Sequence, residues 1–431
     1  MAMGRSIIKL AYEASLASFF GTFLEFYDFT LFGFLATIIG PLFFPSTNPT
    51  TTLLYYFAVF GTGFAMRPIG SLFFGWLGDK WGRRSTFMIP IILMAFASLF
   101  MGLLPTYGEV GIWAPVLLVI LRLIQGFSLG GEWGGGITMV AELAPKERRG
   151  FFVGIVQMAQ SGLLTTGLLT LFSSTMSKSA FAAYGWRVLF IIGVVIAVVG
   201  FYIRVRLTET PVFDEIRKQR KVLRVPVAPI VTKGRYVLML LMALFLAGVP
   251  LSYTYIVYGV TYLTKYVHFA YSEATFITFI ASAVYFVLTL PFAYLTDIIG
   301  RKPIVLAGLI GEAILVFPFY FLIVKYPFFT VVLTFYIIEE ALHAVYNGAY
   351  GQMLAEIFPT VSRYTGVAFS YNLGVAILGG FTPFIVTYLV ATLKTPLAPI
   401  YWLFPLIVIP IILVALLYKE TKGMDLSVFV E

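Results

Sequence analysis

The sequence predicts an all-α membrane protein, with twelve transmembrane helices arranged as two pseudo-symmetric six-helix bundles. Three observations carry that expectation. Of 431 residues, 60% are hydrophobic and only 11% charged, with a mean hydropathy of +0.94, whereas soluble domains carry roughly 25% charged residues. About twelve apolar runs are long enough to cross a hydrocarbon core of ~30 Å as helices of roughly 20 residues. Finally, a charged, glycine-punctuated turn between two such runs, Gly75-Trp76-Leu77-Gly78-Asp79-Lys80-Trp81-Gly82-Arg83-Arg84, returns in shortened form as Tyr294-Leu295-Thr296-Asp297-Ile298-Ile299-Gly300-Arg301-Lys302.

The spans are expected near 14–40, 53–76, 86–104, 113–141, 150–176, 185–206, 236–264, 272–296, 303–324, 328–355, 364–392 and 398–418. They read as helices because lipid offers no partner for an unpaired backbone group. The first run is longer than a signal-peptide core and no small-residue cleavage site follows it, so it counts as span one. With both termini placed in the cytoplasm, inner loops take 22 of the 29 Lys and Arg residues and outer loops five (Lys178, Arg187, Lys265, Lys325 and Lys394). This asymmetry obeys the positive-inside rule. The net charge of +9 is thus a topology signal with an attraction to anionic headgroups, and no nucleic-acid partner is expected. With no cysteine in the chain, disulfides, thiolate metal sites and cysteine nucleophiles are excluded.

One long polar stretch, 208–235, divides the chain into an N-terminal bundle over 1–207 and a C-terminal bundle over 236–431. The halves repeat. Asp79 and Asp297 lie 218 residues apart, and Ala141-Glu142-Leu143-Ala144-Pro145 recurs 214 residues later as Ala355-Glu356-Ile357-Phe358-Pro359, each copy followed by an arginine, Arg149 or Arg363. Paired bundles of this kind place a substrate site at the membrane midplane between them, exposed alternately to each side.

The chain resembles the major facilitator superfamily, and within it the metabolite:proton symporter family. The resemblance rests on Glu25-Phe26-Tyr27-Asp28-Phe29, Arg67-Pro68-Ile69-Gly70, the glycine-rich turn, Arg122-Leu123-Ile124-Gln125-Gly126-Phe127-Ser128-Leu129-Gly130-Gly131-Glu132-Trp133-Gly134, Glu209-Thr210-Pro211-Val212-Phe213, Arg363-Tyr364-Thr365-Gly366, Tyr371-Asn372-Leu373-Gly374, Gly379-Gly380 and Lys419-Glu420-Thr421-Lys422-Gly423. It implies proton-driven uptake of a small polar metabolite across the cell membrane by a monomer without cofactors. An organic acid is the first expectation. A sugar or betaine-type osmolyte, a uniporter or efflux carrier, and a transporter-like nutrient receptor are the alternatives. A receptor would be expected to carry a long cytoplasmic tail, and about a dozen residues follow the last span. No hydrolase elbow, phosphate-binding glycine loop or zinc-peptidase motif suggests an enzyme.

A charge at the bilayer centre costs roughly 2.5–3.5 kcal/mol on insertion scales, so those that persist are functional candidates. Span one holds Glu25 and Asp28 on one helical face, span two Arg67, and span four Arg122 and Glu132. Each arginine can neutralise a carboxylate, the condition for burying either. Asp28 is the first choice for the proton carrier with Arg122 as its switch, and the resemblance supports this, because related sugar porters pair the acid of span one with the corresponding arginine. The competing reading is a permanent ion pair locking span one to span four. Glu25 and Glu132 are the other proton-coupling candidates. Arg122, Gln157, Gln160, Tyr255, Tyr258, Tyr262, His343 and Asn372 form the expected substrate surface, with structural roles for the tyrosines left open. Glu339, Glu340 and His343 cluster on span ten, either as a proton-sensitive group or as structural pairing; no fourth ligand is evident, so no metal is expected. Glu312 has no role legible in the sequence. Gly126, Gly130 and Gly134 recur at a spacing that lets helices approach closely. Asp79, Arg83, Arg149, Asp297, Arg301 and Arg363 are expected to gate the cytoplasmic face, with Asp79 bonding Arg149 or helix termini of the other half, and Asp297, whose turn lacks the first glycine, holding its turn less firmly.

Overall fold

The computed structural model describes residues 2–81, 83–205, 234–247, 249–360 and 363–426, with side chains at these positions except 2–6, 75–76, 78–88, 203–205, 234–236 and 247. Of the expected linker, 208–233 lies outside the described residues. All regular structure among the described residues is helical. The first bundle comprises α1 (Ala2–Phe34), α2 (Pro49–Trp81), α3 (Arg83–Leu103), α4 (Trp113–Leu143), α5 (Arg149–Thr175) and α6 (Lys178–Tyr202). In the second bundle, α7 runs in pieces through Gly234–Ala247, Ser252–Val257 and Tyr258–Lys265. It is followed by α8 (Tyr271–Ile299), α9 (Arg301–Lys325), α10 (Phe329–Ile357), α11 (Arg363–Leu393) and α12 (Pro399–Leu417). Ten of these are long and apolar enough to cross a membrane, and the shorter apolar stretches Ile89–Leu103 in α3 and Val237–Leu246 in α7 complete the twelve.

The outward faces meet lipid. Leu416, Ile314, Val195 and Val287 are all more than half exposed, as side chains become when hydrocarbon replaces water as their neighbour. Inside each bundle the close approaches come from glycine. A Cβ on Gly126 of α4 would lie 1.7 Å from the Gly63 carbonyl oxygen of α2, and one on Gly130 would lie 2.4 Å from the Arg67 carbonyl oxygen. Only a hydrogen fits at either position. Gly134, next in the series, faces the other bundle, with Ala368 Cα of α11 2.5 Å from the same hypothetical atom. One stripe of small residues thus sets two different helix contacts.

Helices α1, α2, α4 and α5 face α7, α8, α10 and α11 across the interface. Four of these eight are interrupted at mid-depth. α4 breaks at Gly130 and Gly131. α5 tightens over Ala159–Ser161 and then turns at Gly162, whose φ of 66° is left-handed, a conformation open to glycine at little cost. The wide turns Ser252–Val257 in α7 and Val375–Gly380 in α11 are their counterparts in the second bundle. Broken helices lining a midplane cavity free backbone and side-chain groups for a solute.

Candidate functional site

Three layers occupy the interface, an outer seam, a polar and aromatic middle, and an inner seam of arginines and carboxylates. In the middle layer the break in α5 aims two amides across the gap. Gln157 Nε2 donates to Asn347 Oδ1 of α10 at 2.6 Å, and its Oε1 accepts from the Trp133 indole of α4 at 3.1 Å. Gln160 Oε1 accepts from Asn347 Nδ2 and from the Tyr350 hydroxyl, each at 3.2 Å. Trp133 stacks on Tyr371 of α11 with ring centroids 3.8 Å apart and on Tyr350 at 5.6 Å. Beside this layer lies a cavity of ≈ 10 Å³, bounded among others by Phe26, Thr30, Gln160, Ser252, Tyr253 and Glu340. That is room for about one water molecule, so a solute enters only if the bundles move apart.

The two buried charge groups of the first bundle occupy different places. Arg67 forms an ion pair with Glu25 and donates from Nε to Asn372 Oδ1 of α11 at 3.0 Å. This pair therefore faces the interface. Asp28 does not. It accepts from Gln125 Nε2, whose Oε1 accepts in turn from Arg122, so the amide relays between carboxylate and guanidinium and the expected direct pair is replaced by a chain of three groups. Asp28 looks towards α6, where a Cβ on Gly193 would lie 3.2 Å from its Oδ1. Arg122 is sealed from the cavity by the rings of Phe29, Phe32 and Phe60, with the first two centroids 4.0 and 4.5 Å from its Cζ. The expectation that Arg122 grips the solute is corrected on this ground: three aromatic side chains stand between. Glu132 is buried at the start of the inner half of α4.

The tyrosines of α7 separate for a similar reason, since the wide turn rotates the helix. Tyr255 packs on Phe319 and Tyr320 inside the second bundle, and Tyr262 donates to the Pro396 carbonyl at 2.7 Å near the outer end. Neither lines the cavity, which corrects their assignment to the solute surface. Tyr258 meets Phe57 at the outer seam. Tyr253, which the sequence reading passed over, takes the cavity position. On α10, His343 lies 3.2 Å from Glu340 and 3.3 Å from Ser252 Oγ.

The outer seam is held by Tyr271, whose hydroxyl donates to the Phe34 carbonyl at 3.1 Å, and by a 3.2 Å contact between the Ser173 and Thr275 hydroxyls. The inner seam is denser. Arg149 of α5 donates to Glu356 of α10 at 2.7 Å, and Arg301 donates to the same carboxylate from Nε and Nη2 at 3.2 and 3.1 Å. Arg363 of α11 returns the contact to Glu142 of α4 at 2.9 Å. Asp297 accepts from the Gly150 and Phe151 backbone N–H groups at 2.8 and 2.9 Å, an anion on a helix N-terminus, and pairs with Arg301 at 3.1 Å. Asp297 is thus well held despite its missing glycine. The side chains of Asp79 and Arg83 lie outside the described residues. Arg149 spends its described ion pair on Glu356. Glu142 and Glu356, which complete the gate, sit in the repeated Ala-Glu motif, where the repetition itself was the signal.

A strap of chain after α12 covers this seam. Arg149 Nη2 donates to the Met424 carbonyl at 3.0 Å and Arg363 Nη2 to that of Leu426 at 3.2 Å. Burial raises the Glu420 acid, but the backbone N–H groups of Arg301, Lys302, Lys422 and Thr421, at 2.9–3.0 Å, outweigh it and hold the group below the usual carboxylate range. With both seams closed, the molecule is in an occluded arrangement.

Known proteins with this architecture are transporters. Residues 14–224 match the family model described as "Sugar (and other) transporter" and residues 240–426 the one described as "Major Facilitator Superfamily". The chain is 32% identical to the glycine betaine/proline/ectoine/pipecolic acid transporter OusA of Dickeya dadantii, over 96% of this chain and 84% of the relative. It is equally similar to the proline/betaine transporter of Escherichia coli strain K12, over 96% and 85%. Among solved structures it matches a proton:xylose symporter bound to 6-bromo-6-deoxy-D-glucose with a TM-score of 0.77 at 18% identity, over 97% of this chain and 98% of that one. The xylose transporter of E. coli in a partially occluded inward-open conformation gives 0.75 at 18% identity, over 97% and 100%. Two six-helix bundles, a broken-helix midplane and a duplicated inner gate, in a chain related end to end to membrane transporters and to no enzyme among these, identify it as a multi-pass membrane transporter of the major facilitator superfamily.

Proposed function

We propose that the chain is a proton-coupled symporter of the cell membrane, its termini cytoplasmic, that imports a small zwitterion of the betaine or proline kind by alternating access. This replaces the organic acid as first choice with the osmolyte alternative. The relatives' names support the change, and so does one physical observation: the midplane offers no uncommitted cation. Arg67 is neutralised by Glu25, and Arg122 lies behind Phe29, Phe32 and Phe60. An organic anion entering such a layer would bring an uncompensated charge into a low-dielectric space. A zwitterion brings none. Its ammonium end suits the aromatic faces of Trp133, Tyr253 and Tyr371 through cation–π attraction, about 0.5–2 kcal/mol per ring, with Glu340 beside the cavity as counter-charge. Its carboxylate suits the amide donors of Gln157, Gln160 and Asn347.

In this reading the coupling proton sits on Asp28, where the Gln125 relay lets a shift of Arg122 alter the charge that the carboxylate can hold. Glu25, on the interface with Arg67, and Glu132 are the alternatives. Alternation breaks one seam at a time: inward opening separates Arg149 from Glu356, Arg363 from Glu142 and Asp297 from the start of α5. The solute class is tested with purified protein in proteoliposomes taking up labelled proline under a pH gradient. Competition by glycine betaine, with none by succinate or xylose, is expected. Competition by succinate or xylose alone would reject the zwitterion.

A further inference from the structure

Every other buried ion pair described so far sets a carboxylate against an arginine: Glu25 with Arg67, Glu142 with Arg363, Glu356 with Arg149 and Arg301, and Asp297 with Arg301. Three acids of the second bundle break this pattern. Glu312, Glu339 and Glu340 are 0, 0 and 2% exposed, and among the described residues none meets a lysine or arginine. Glu340 contacts His343 through one oxygen. Glu339, Glu340 and His343 have ligand-type atoms all within 4.8 Å of one another. Glu312, on the neighbouring α9, lies within electrostatic reach of Glu340, and neither of its carboxylate oxygens has a hydrogen-bond partner. The other titratable groups around the cluster are neutral phenols: Tyr255 of α7, Tyr285 of α8, and Tyr336 and Tyr346 of α10.

Three ionised carboxylates and at most one imidazolium would leave a net charge of about −2 inside lipid-covered protein, which buried groups avoid by neutralising. A hard metal cation would need six or more oxygen ligands, whereas three carboxylates and an imidazole with no backbone carbonyl turned in fall short. Protons meet the requirement one carboxylate at a time, and two adjacent acids readily share one. A route also exists, because Glu340 lines the central cavity and His343 bridges it to Ser252.

We propose that Glu312, Glu339, Glu340 and His343 form a second proton-binding site, inside the C-terminal bundle and loaded from the central cavity through Glu340. Each carboxylate takes a proton from cavity water and returns it there, with no other bond made or broken. The use of these protons in transport rests on the symport reading above; their binding does not. When a zwitterion's ammonium lies beside Glu340, it competes with the proton for that carboxylate, and the proton moves deeper onto Glu339 or Glu312.

Infrared difference spectroscopy on the purified full-length protein tests this without any transport step. A carboxylic-acid carbonyl band is expected at neutral pH in the wild type, weakened in Glu312→Gln, Glu339→Gln and Glu340→Gln and shifted when glycine betaine is added. The band should persist in Asp28→Asn, whose uptake tests the symport reading separately. Should the glutamine variants fail to fold, the wild-type band and its response to glycine betaine carry the test alone. Absence of the band at neutral pH, an identical band in all three glutamine variants, or a band that appears only after a metal chelator is added would overturn the proposal.

Discussion

Replacing Glu356 by Gln should loosen the inner seam by an amount the geometry fixes. Glu356 is buried and accepts from Arg149 at 2.7 Å, from Arg301 at 3.1 and 3.2 Å and from the Thr421 hydroxyl. Only Arg149 reaches it from the first bundle, so only that contact is lost on inward opening. A hydrogen bond to a charged partner contributes about 1.5–3 kcal/mol. Gln keeps the shape and one acceptor but turns an N–H₂ donor towards guanidinium donors, so the loss falls on the closed arrangement, while the opened Arg149 is solvated in either protein. A shift of that size changes the closed-to-open ratio by roughly 10- to 150-fold. The contacts of Arg363 with Glu142 and of Asp297 with α5 remain and keep a closed population measurable. Since the chain has no cysteine, spin labels can be introduced at Lys146 and Ile299 without a background, both exposed at the inner ends of opposite bundles. A longer-distance population should grow in Glu356→Gln. Identical distance distributions in the two proteins would refute the gate argument.

Gly126→Ala should prevent the first bundle from packing, because its Cβ would overlap the Gly63 carbonyl oxygen; loss of monodisperse protein in size-exclusion profiles is expected, and a well-folded variant would count against the described α2–α4 contact. Asp28→Asn should abolish uphill uptake while leaving solute exchange measurable, and unchanged gradient-driven uptake would move the coupling proton to Glu25 or Glu132. The strap should be sensitive to acid: Glu420 holds its proton less readily in the folded protein than in a free chain, so its contribution is present above the ordinary carboxylate range and is lost as pH falls through the lowered value. Protease cleavage after Lys422 should therefore rise at acidic pH in the wild type, and Glu420→Gln should show that raised cleavage already at neutral pH.

Composition and hydropathy sufficed for the twelve spans because lipid leaves the backbone so few options. The duplicated motifs likewise located the gate, and the structure adds only which arginine meets which acid. What pattern alone did not reveal is direction. Asp28 and Glu25 share a helical face at three-residue spacing, yet the crowding of α6 turns Asp28 inward while Glu25 faces α11 through Arg67. Tyr255, Tyr258 and Tyr262 read as one stripe only on a regular helix, and the wide turn over Ser252–Val257 spreads them to three environments. Gln125, three residues from Arg122 and able to relay to Asp28, was within the quoted motif but not singled out. Asn347 and Tyr350 follow His343 at helical spacing, and only the break in α5 at Gly162 shows why they matter, since it brings Gln157 and Gln160 to meet them.

The central claim is that solute and proton cross together. It is tested most directly by adding glycine betaine to proteoliposomes in a weakly buffered medium, with no gradient imposed, and following external pH. Alkalinisation on addition, absent in protein-free vesicles and in Asp28→Asn, is the predicted result. Uptake of labelled glycine betaine with no change in external pH would contradict it and leave the protein a uniporter.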